Sequence, residues 1–418
     1  MRTLDEWLEL QQAVHPRSID LGLVRVAAVA RVLGVDRLHC PVITVGGTNG
    51  KGSVVAHIDA VLRAAGTSTG VFTSPHLVRY NERICVNGAE VGDAELVAAF
   101  ERIEHARGST TLTYFEYSTL AALAVFADRK VDVAILEVGL GGRLDAANLL
   151  DADVGVVCSI GFDHCDWLGD SLEAIGAEKA GIFRSGRPAV LGTPQMPATV
   201  FGAIAALGAR PIVAESDFSW SVSGRRWSYR GLKHSLDDLP PSALAGAIQY
   251  RNAATAIAAV EALGMHPAVN TSVVSEALRS VKLAGRFQIV PGPVEWIIDV
   301  CHNEPAAAVF ASQLAARASA GRTLAVVGIL GDKDIEAIGG VLDPLLDWWI
   351  PCTVAEPRGL AADELARRLA LRPDESTLAP SAAAGCAIAQ RLAVAGDRVV
   401  ACGGFHVAGS ALRWLRLY

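Results

Sequence analysis

Val45-Gly46-Gly47-Thr48-Asn49-Gly50-Lys51-Gly52-Ser53 is the stretch on which the fold turns. An apolar run, Pro41-Val42-Ile43-Thr44-Val45, precedes it and reads as a buried strand. After it, Val54, Ile58, Val61, Leu62 and Ala65 recur at helical spacing, so the glycines occupy a strand-to-helix turn. Such a turn points backbone N–H groups and a helix N-terminus at one spot, which favours an anion. Glycines let the backbone approach a phosphate, Lys51 supplies a mobile positive charge, and the Ser53 hydroxyl can reach a magnesium ion. The loop is shorter than the usual P-loop, and Gly52 separates Lys51 from Ser53. A plain glycine turn with a solvated lysine is the competing reading. The flanking strand and helix favour a nucleoside triphosphate site.

With 418 residues, the chain is too long for one ordinary core, and two domains are expected. It is 51% hydrophobic and 19% charged, a globular composition. A formal net charge of -7 argues against a nucleic-acid partner, since no basic surplus exists to neutralise a phosphate backbone. The strongest apolar run, around Leu120 to Ala127, falls well short of the roughly 20 residues that span a bilayer. Acids at Asp5 and Glu6 and the lack of an apolar stretch there argue against a signal peptide. Eight cysteines are scattered without a C-x-x-C pair, several within apolar runs, as in a reduced, cytoplasmic protein.

Along the chain, residues 1–40 read as helical, and Thr69–Thr73 as a second strand. Asp93–Arg107 and Phe115–Ala127 read as helices. Val131–Val138 and Asp153–Ile160 are continuous apolar runs, suited to central strands of a parallel sheet covered on both faces. Pro188–Gly192 is a further strand, and residues 218–236 look like a hairpin about Ser223-Gly224-Arg225. Helices return over Leu244–Leu263 and Ser272–Val281, and Gln288–Pro293 has the proline and glycine of an interdomain join. Strand–helix alternation then restarts with Val294–Val300, Thr323–Leu330, Trp348–Val354 and Arg398–Cys402. The expectation is an α/β protein: a P-loop domain with a mostly parallel sheet over 1–290, and a smaller Rossmann-like α/β domain over 291–418.

Glu137 closes an apolar strand, which puts its carboxylate at the carboxyl edge of the sheet, where ligands bind in open α/β folds. A P-loop protein needs an acid there to hold magnesium. Asp163, His164 and Asp166 crowd a loop at the same edge, with residue types that ligate metals. Taken alone, a loop histidine is as readily a hydrogen-bonded one, and Lys179 would be a solvated helix face. Across the join, Arg286 precedes Asp299 and His302, which points to nucleotide between the domains.

Assembled, these stretches resemble the folylpolyglutamate synthase/dihydrofolate synthase family of Mur-ligase-like ATP-dependent amide ligases over nearly the whole length. The resemblance rests on Gly47–Ser53, Thr73-Ser74-Pro75-His76-Leu77, Tyr114-Phe115-Glu116, Glu137 through Asp145, and Asp163-His164 with Trp167-Leu168-Gly169. Further carriers are Glu178-Lys179-Ala180-Gly181-Ile182, Ala284-Gly285-Arg286-Phe287, and Asp299 with His302-Asn303. It implies that ATP phosphorylates a pterin-bearing carboxylate and that L-glutamate then attacks the acyl phosphate. Acceptors would be dihydropteroate and reduced folates; the reaction itself calls for no obligate partner, and a monomer is the default expectation. By resemblance, Thr48, Asn49, Gly50, Lys51, Gly52, Ser53, Asn252, Arg286, Asp299 and His302 contact ATP. Ser74, Glu137, His164 and Lys179 hold Mg2+, with Lys179 carbamylated to N6-carboxylysine; Lys51, Glu137, His164 and Lys179 form the catalytic set. Ala13, Val14, His15, Pro16, Thr113, Tyr114, Phe115, Glu116, Leu144, Asp145 and Ala146 line the pterin pocket.

Three positions depart from the family pattern. Glu304-Pro305 follows His302-Asn303 where proline usually comes directly, Cys165 replaces a frequent threonine, and Gly403-Gly404-Phe405-His406 replaces Gly-Ser-Phe. Alternatives are a synthase that only extends the glutamate tail, a cell-wall Mur ligase, or a P-loop regulator without ligase activity. Tyr114-Phe115-Glu116 argues against the Mur ligase, and the absence of an Asn-Lys-x-Asp element against a GTPase-like regulator.

Overall fold

The computed structural model describes every residue except Met1, Pro16, Ser18 and 265–268. Its largest sheet has eight strands: β1 (Val42–Gly46), β2 (Thr69–Phe72), β3 (Ile84–Val86), β4 (Ala89–Glu90), β5 (Val133–Glu137), β6 (Val154–Val157), β7 (Pro188–Leu191) and β8 (Arg210–Val213). Their order is β4-β3-β2-β5-β1-β6-β7-β8, parallel throughout except for the antiparallel β3 and β4 at one edge. Successive residues of the central strands enter different cores. Ile43, Val45, Val133 and Ile135 pack with the helices Lys51–Ala64, Ile248–Leu263 and Thr271–Ser280. Val42, Ala134 and Leu136 pack on the other face, against Asp93–Arg107 and Tyr114–Arg129. Burial on both faces is why these strands read as unbroken apolar runs.

Residues 218–236, expected to form a hairpin, belong to a three-stranded antiparallel sheet of β9 (Ser219–Ser223), β10 (Arg226–Arg230) and β11 (Ser235–Leu239). Trp227 and Tyr229 plug its inner face; Trp227 Nε1 donates to the Pro240 carbonyl at 2.7 Å and the Tyr229 hydroxyl to Glu261 Oε2 at 2.8 Å. Both aromatic rings thus bury with their polar atoms satisfied.

The C-terminal sheet runs β12-β13-β16-β14-β15, built from β12 (Gln288–Val290), β13 (Glu295–Ile298), β14 (Thr323–Val327), β15 (Trp348–Pro351) and β16 (Arg398–Cys402). Its strands are parallel apart from β12, which pairs antiparallel with β13. Gln288–Pro293 is therefore a strand and a tight turn of this sheet rather than a free join: Pro291-Gly292-Pro293 turns β12 onto β13. No helix among the described residues is long and apolar enough to cross a membrane.

The strand order changes its sense about β1: the chain crosses from it to β2 on one side and later reaches β6 on the other, all parallel. The loops after β1, β5 and β6 therefore open into one crevice, as in other doubly wound sheets. Loops leaving β13, β14 and β16 meet the same space from the C-terminal sheet.

Candidate active site

Between the two sheets lies a cavity of about 810 Å³. The Gly47–Ser53 loop forms its floor. Gly47 and Gly50 have φ of 135° and 92°, in the left-handed region that glycine tolerates. A Cβ on Gly47 would stand 3.0 Å from the Cys158 nitrogen, so the loop rests directly on the end of β6. Thr48 fastens it there: its hydroxyl donates to the Gly161 carbonyl and its N–H to that of Ser159. Lys51 Nζ donates to the Gly47 and Thr48 carbonyls at 3.0 and 3.2 Å, and Lys179 Nζ reaches the same Gly47 carbonyl at 3.2 Å.

Two amines share that carbonyl in a dry place. Burial, then the Lys51 charge, pushes the Lys179 amine down to about 7. Glu137, the last residue of β5, is buried, and its Oε2 accepts the Ser74 N–H at 3.3 Å. Burial raises its carboxyl while Lys51 and Arg286 pull it back. No cation bridges Glu137 within 4 Å among the described residues, so it is an acid with room for a metal. Burial drives the His164 imidazole down to about 4, and Asp163 offsets only part of this. A neutral imidazole is the ligating form. His164 also holds φ of 53°, an uncommon backbone for its type.

Ser74, Glu137, His164 and Lys179 all line the cavity. Among the described residues no three His, Cys, Asp or Glu side chains converge as a closed metal cage. The donor set that is present, one carboxylate, one hydroxyl and one neutral histidine facing a phosphate loop, suits a hard cation that keeps phosphate or water oxygens. Magnesium fits these residues.

From the other sheet, Asp299 accepts the Phe287 and Cys301 N–H groups at 2.7 and 2.8 Å. Arg286 is half-buried, with its guanidinium carbon 5.4 Å from the Phe405 ring centroid and its Nη1 donating to the Gly285 carbonyl. Asn252 is also buried and packs its Oδ1 against Gly50. His302 Nε2 stands 3.4 Å from Asp163 Oδ2, and its Nδ1 faces the Val300 carbonyl. Next to it, Asn303 and Asn49 exchange side-chain amide bonds at 3.0 and 3.2 Å. Two of the stretches that depart from the family pattern have local roles. Glu304 and Pro305 start the helix Glu304–Ala315, where proline loses no hydrogen bond, and Phe405 covers His302 and Arg286.

The expected pterin wall is less concentrated. Tyr114 alone of its residues lines the main cavity. Thr113 and Glu116 form a capping box, and Glu116 further accepts from Arg25 Nη2 at 3.1 Å. Arg25 also pairs with Asp20, which stands 3.4 Å from His15, so the end of the first helix is tied to Glu116. Ala13 and Val14 belong to that helix, and Pro16 lies outside the described residues. Phe115 packs over Gly139, while Asp145 accepts the Leu140 and Ala147 N–H groups at 2.7 and 2.8 Å. Leu144 accepts from Gly22 through its carbonyl, and Ala146 is buried. Burial pushes Asp145 up to about 6.

Two cations went unmarked in the sequence reading. Lys333, in the turn after β14, donates to Asp163 Oδ1 at 2.6 Å. Arg83 lies buried beside Tyr80 and Tyr114. The signal for Lys333 was present in Gly331-Asp332-Lys333-Asp334, a charged turn at the carboxyl end of an apolar strand.

Fold and site together define an ATP-dependent ligase of the Mur type. Residues 45–192 match the Mur ligase middle domain, and residues 285–405 match the Mur ligase glutamate ligase domain. The chain is 43% identical to the dihydrofolate synthase/folylpolyglutamate synthase of Escherichia coli K12, over 96% of this chain and 93% of that protein. Among solved structures it resembles E. coli FolC in complex with DHPP and ADP, with a TM-score of 0.94 at 42% identity, covering 100% of this chain and 98% of the other. A bifunctional folylpolyglutamate synthase/dihydrofolate synthase with Mn, AMPPNP and L-glutamate bound superposes with a TM-score of 0.91 at 38% identity, covering 100% and 98%. The chain belongs to the dihydrofolate synthase/folylpolyglutamate synthase family.

Proposed function

We propose that the chain joins L-glutamate to dihydropteroate, giving dihydrofolate, and to reduced folates, lengthening their glutamate tail. One observation carries this reading: the phosphate loop with Lys51, the buried Glu137 and Lys179, and His164 share one cleft with Arg286, Asp299 and His302 of the facing layer. A nucleotide binder without chemistry has no use for a buried acid, a neutral histidine and a depressed lysine around its terminal phosphate.

In the reaction, the acceptor carboxylate attacks the γ-phosphorus, ADP leaves, and an acyl phosphate forms. The amine of glutamate, having lost a proton, attacks the carbonyl carbon, and phosphate departs as the amide forms. Two anions must be brought together, so the residues supply positive charge in a water-poor site. Lys51 and the backbone of Thr48–Ser53 would hold the phosphates, and Arg286 would neutralise charge from the facing layer. Asn252, Asp299 and His302 would contact the nucleoside end. Ser74, Glu137 and His164 would hold magnesium, which supplies Lewis-acid charge on the transferred phosphoryl group. The Lys179 amine, which burial and the Lys51 charge shift toward its neutral, nucleophilic form, would add to CO2 with loss of a proton, becoming an anionic ligand. Phe115, Asp145 and Tyr114 would bound the pterin, with the His15 segment over it.

We further place the protein in the cytoplasm as a monomer acting on small molecules and not on nucleic acid. All eight cysteines are free, in keeping with a reducing compartment. The test is substrate-dependent release of ADP and phosphate. Release requiring both L-glutamate and dihydropteroate supports the first activity, and release with glutamate and a reduced folate the second. Tail extension without dihydropteroate turnover leaves a monofunctional synthase. Turnover of a UDP-muramoyl substrate alone refutes the folate reading.

A further inference from the structure

We propose that Arg83 is the residue that grips the reacting carboxylate of the pterin-bearing substrate, an inference resting on the ligase reading above. Arg83 ends the turn Tyr80–Arg83 just before β3 and is 8% exposed. Its guanidinium carbon lies 5.7 Å from the Tyr80 ring centroid and 5.4 Å from that of Tyr114. Its Nε donates to His76 Nδ1 at 2.8 Å. Among the described residues, neither terminal nitrogen donates to a protein group and no carboxylate lies within ion-pair distance. The Tyr114 hydroxyl likewise has no protein partner.

A buried cation without a counter-charge is costly, and two aromatic faces offset only part of the cost. Arg83 and Tyr114 both line the cavity that holds Ser74, Glu137 and Lys51, so the open donors border the reaction space. The two open terminal nitrogens of Arg83 can converge on one carboxylate oxygen in a fixed geometry that the flexible ammonium of a lysine does not impose.

Position selects the carboxylate over the nucleotide phosphates. Those phosphates have Lys51 on their own loop and Arg286 nearby, whose Nη2 lies 3.5 Å from where a Gly52 Cβ would be. Arg83 instead stacks on Tyr114, whose neighbour Phe115 packs over Gly139 in the expected pterin wall. Holding one carboxylate oxygen leaves the other to attack phosphorus. When the amine adds, the held oxygen takes up negative charge, so Arg83 acts in both steps. Substrate affinity and kcat should fall together on its removal.

The experiment compares wild-type enzyme with Arg83→Gln and Arg83→Lys. Calorimetry in the presence of ADP measures binding of dihydropteroate and of the analogue whose carboxylate is a carboxamide. ADP affinity is measured separately. We expect wild type to prefer the carboxylate at least tenfold and Arg83→Gln to lose that preference to within twofold. ADP should bind all three proteins within threefold, Arg83→Lys should regain part of the preference, and kcat should drop at least a hundredfold in Arg83→Gln. A preference retained in Arg83→Gln overturns the proposal. So does weakened ADP binding with the preference intact, which assigns Arg83 to phosphate. Should Arg83→Gln not fold, as a thermal melt will show, the same preference is read on Arg83→Lys, and an undiminished value there refutes the grip. Wild type that binds neither dihydropteroate nor a reduced folate overturns the ligase reading itself and this inference with it. Where it binds only the folate, the same preference is read on the folate and its carboxamide.

Discussion

Lys333 Nζ and Asp163 Oδ1 stand 2.6 Å apart, joining the turn after β14 to the loop after β6. Both side chains are buried, and Asp163 also takes the Asn303 side-chain amide at 2.9 Å and His302 at 3.4 Å. Burial would raise the Asp163 carboxyl, but His302, His164 and Lys333 outweigh it and hold it well below the usual carboxylate range. One acid thus gathers three residues of the C-terminal layer beside His164.

Removing one partner of such a pair leaves a buried charge uncompensated, at a cost of about 3 kcal/mol or more. Lys333→Met is expected to lower the melting temperature by several degrees and kcat/KM at least tenfold. A double-mutant cycle with Asp163→Asn should show coupling of about 1 kcal/mol or more. Additive losses would mean that the two residues act separately.

Lys179→Ala should abolish turnover and regain part of it with millimolar acetate or another short carboxylic acid. The acid would replace the carbamate oxygens near Gly47 and Glu137. Near-wild-type activity in the variant would remove the carbamate from the scheme. A 13C signal from labelled CO2 in wild type, absent in the variant, reads the modification directly.

His57 sits on the helix that follows the phosphate loop, wholly buried, with Nδ1 2.7 Å from the Ser53 carbonyl and Nε2 2.9 Å from the Ser242 hydroxyl. Burial pushes its imidazole down to about 4 from 6.5. Between these values the unfolded chain binds a proton that the folded one refuses. Stability therefore rises with pH through this window, by about 3 kcal/mol for this group, and is lost as pH falls from 6.5 to 4. Asp145, raised to about 6, works in the opposite sense below pH 6. The comparison must then be a difference: denaturant melts from pH 4 to 7 should have a shallower slope in His57→Gln than in wild type.

Gly409, in the helix Phe405–Trp414, lets that helix touch the loop carrying Ser74: a Cβ would lie 2.1 Å from the Leu77 carbonyl oxygen. Arg413 on the same helix donates to the Val78 carbonyl at 2.7 Å. Gly409→Ala should cost about 1–3 kcal/mol through overpacking and depress kcat by shifting Ser74. Gly202→Ala, in the helix Ala198–Leu207 with open space around it, should instead stabilise by about 0.5–1 kcal/mol. Equal thermal melts for the two variants would contradict the packing argument.

Much of the fold was legible because its signals are local. The Gly47–Ser53 turn, the apolar runs that became β5, β6 and β16, and the helix Asp93–Arg107 each carry their own periodicity. Strands with mixed or short patterns were not legible: β3 and β4 are an edge hairpin, and β11 is Ser-Leu-Asp-Asp-Leu with only Leu236 and Leu239 buried. That spacing of three, which the irregular register with β10 allows, breaks strand alternation. Pro291-Gly292-Pro293 signalled a break correctly, but local sequence does not distinguish a linker from a turn between paired strands. At the site, Glu137 could be placed at a sheet edge because it ends an apolar strand. Arg83 and Lys333 could not be distinguished from surface cations.

By itself, then, the sequence determined a glycine turn with Lys51 on a buried parallel sheet, a second run of strand–helix alternation, and an acid and a histidine at the same sheet edge. Tertiary structure alone decided which charges are buried and what faces them. Lys333 meets an acid 170 residues away, and Arg83 meets two tyrosines and an open cleft. Side-chain spacing along a chain encodes local geometry, whereas desolvation and pairing of a charge depend on elements that only folding brings together.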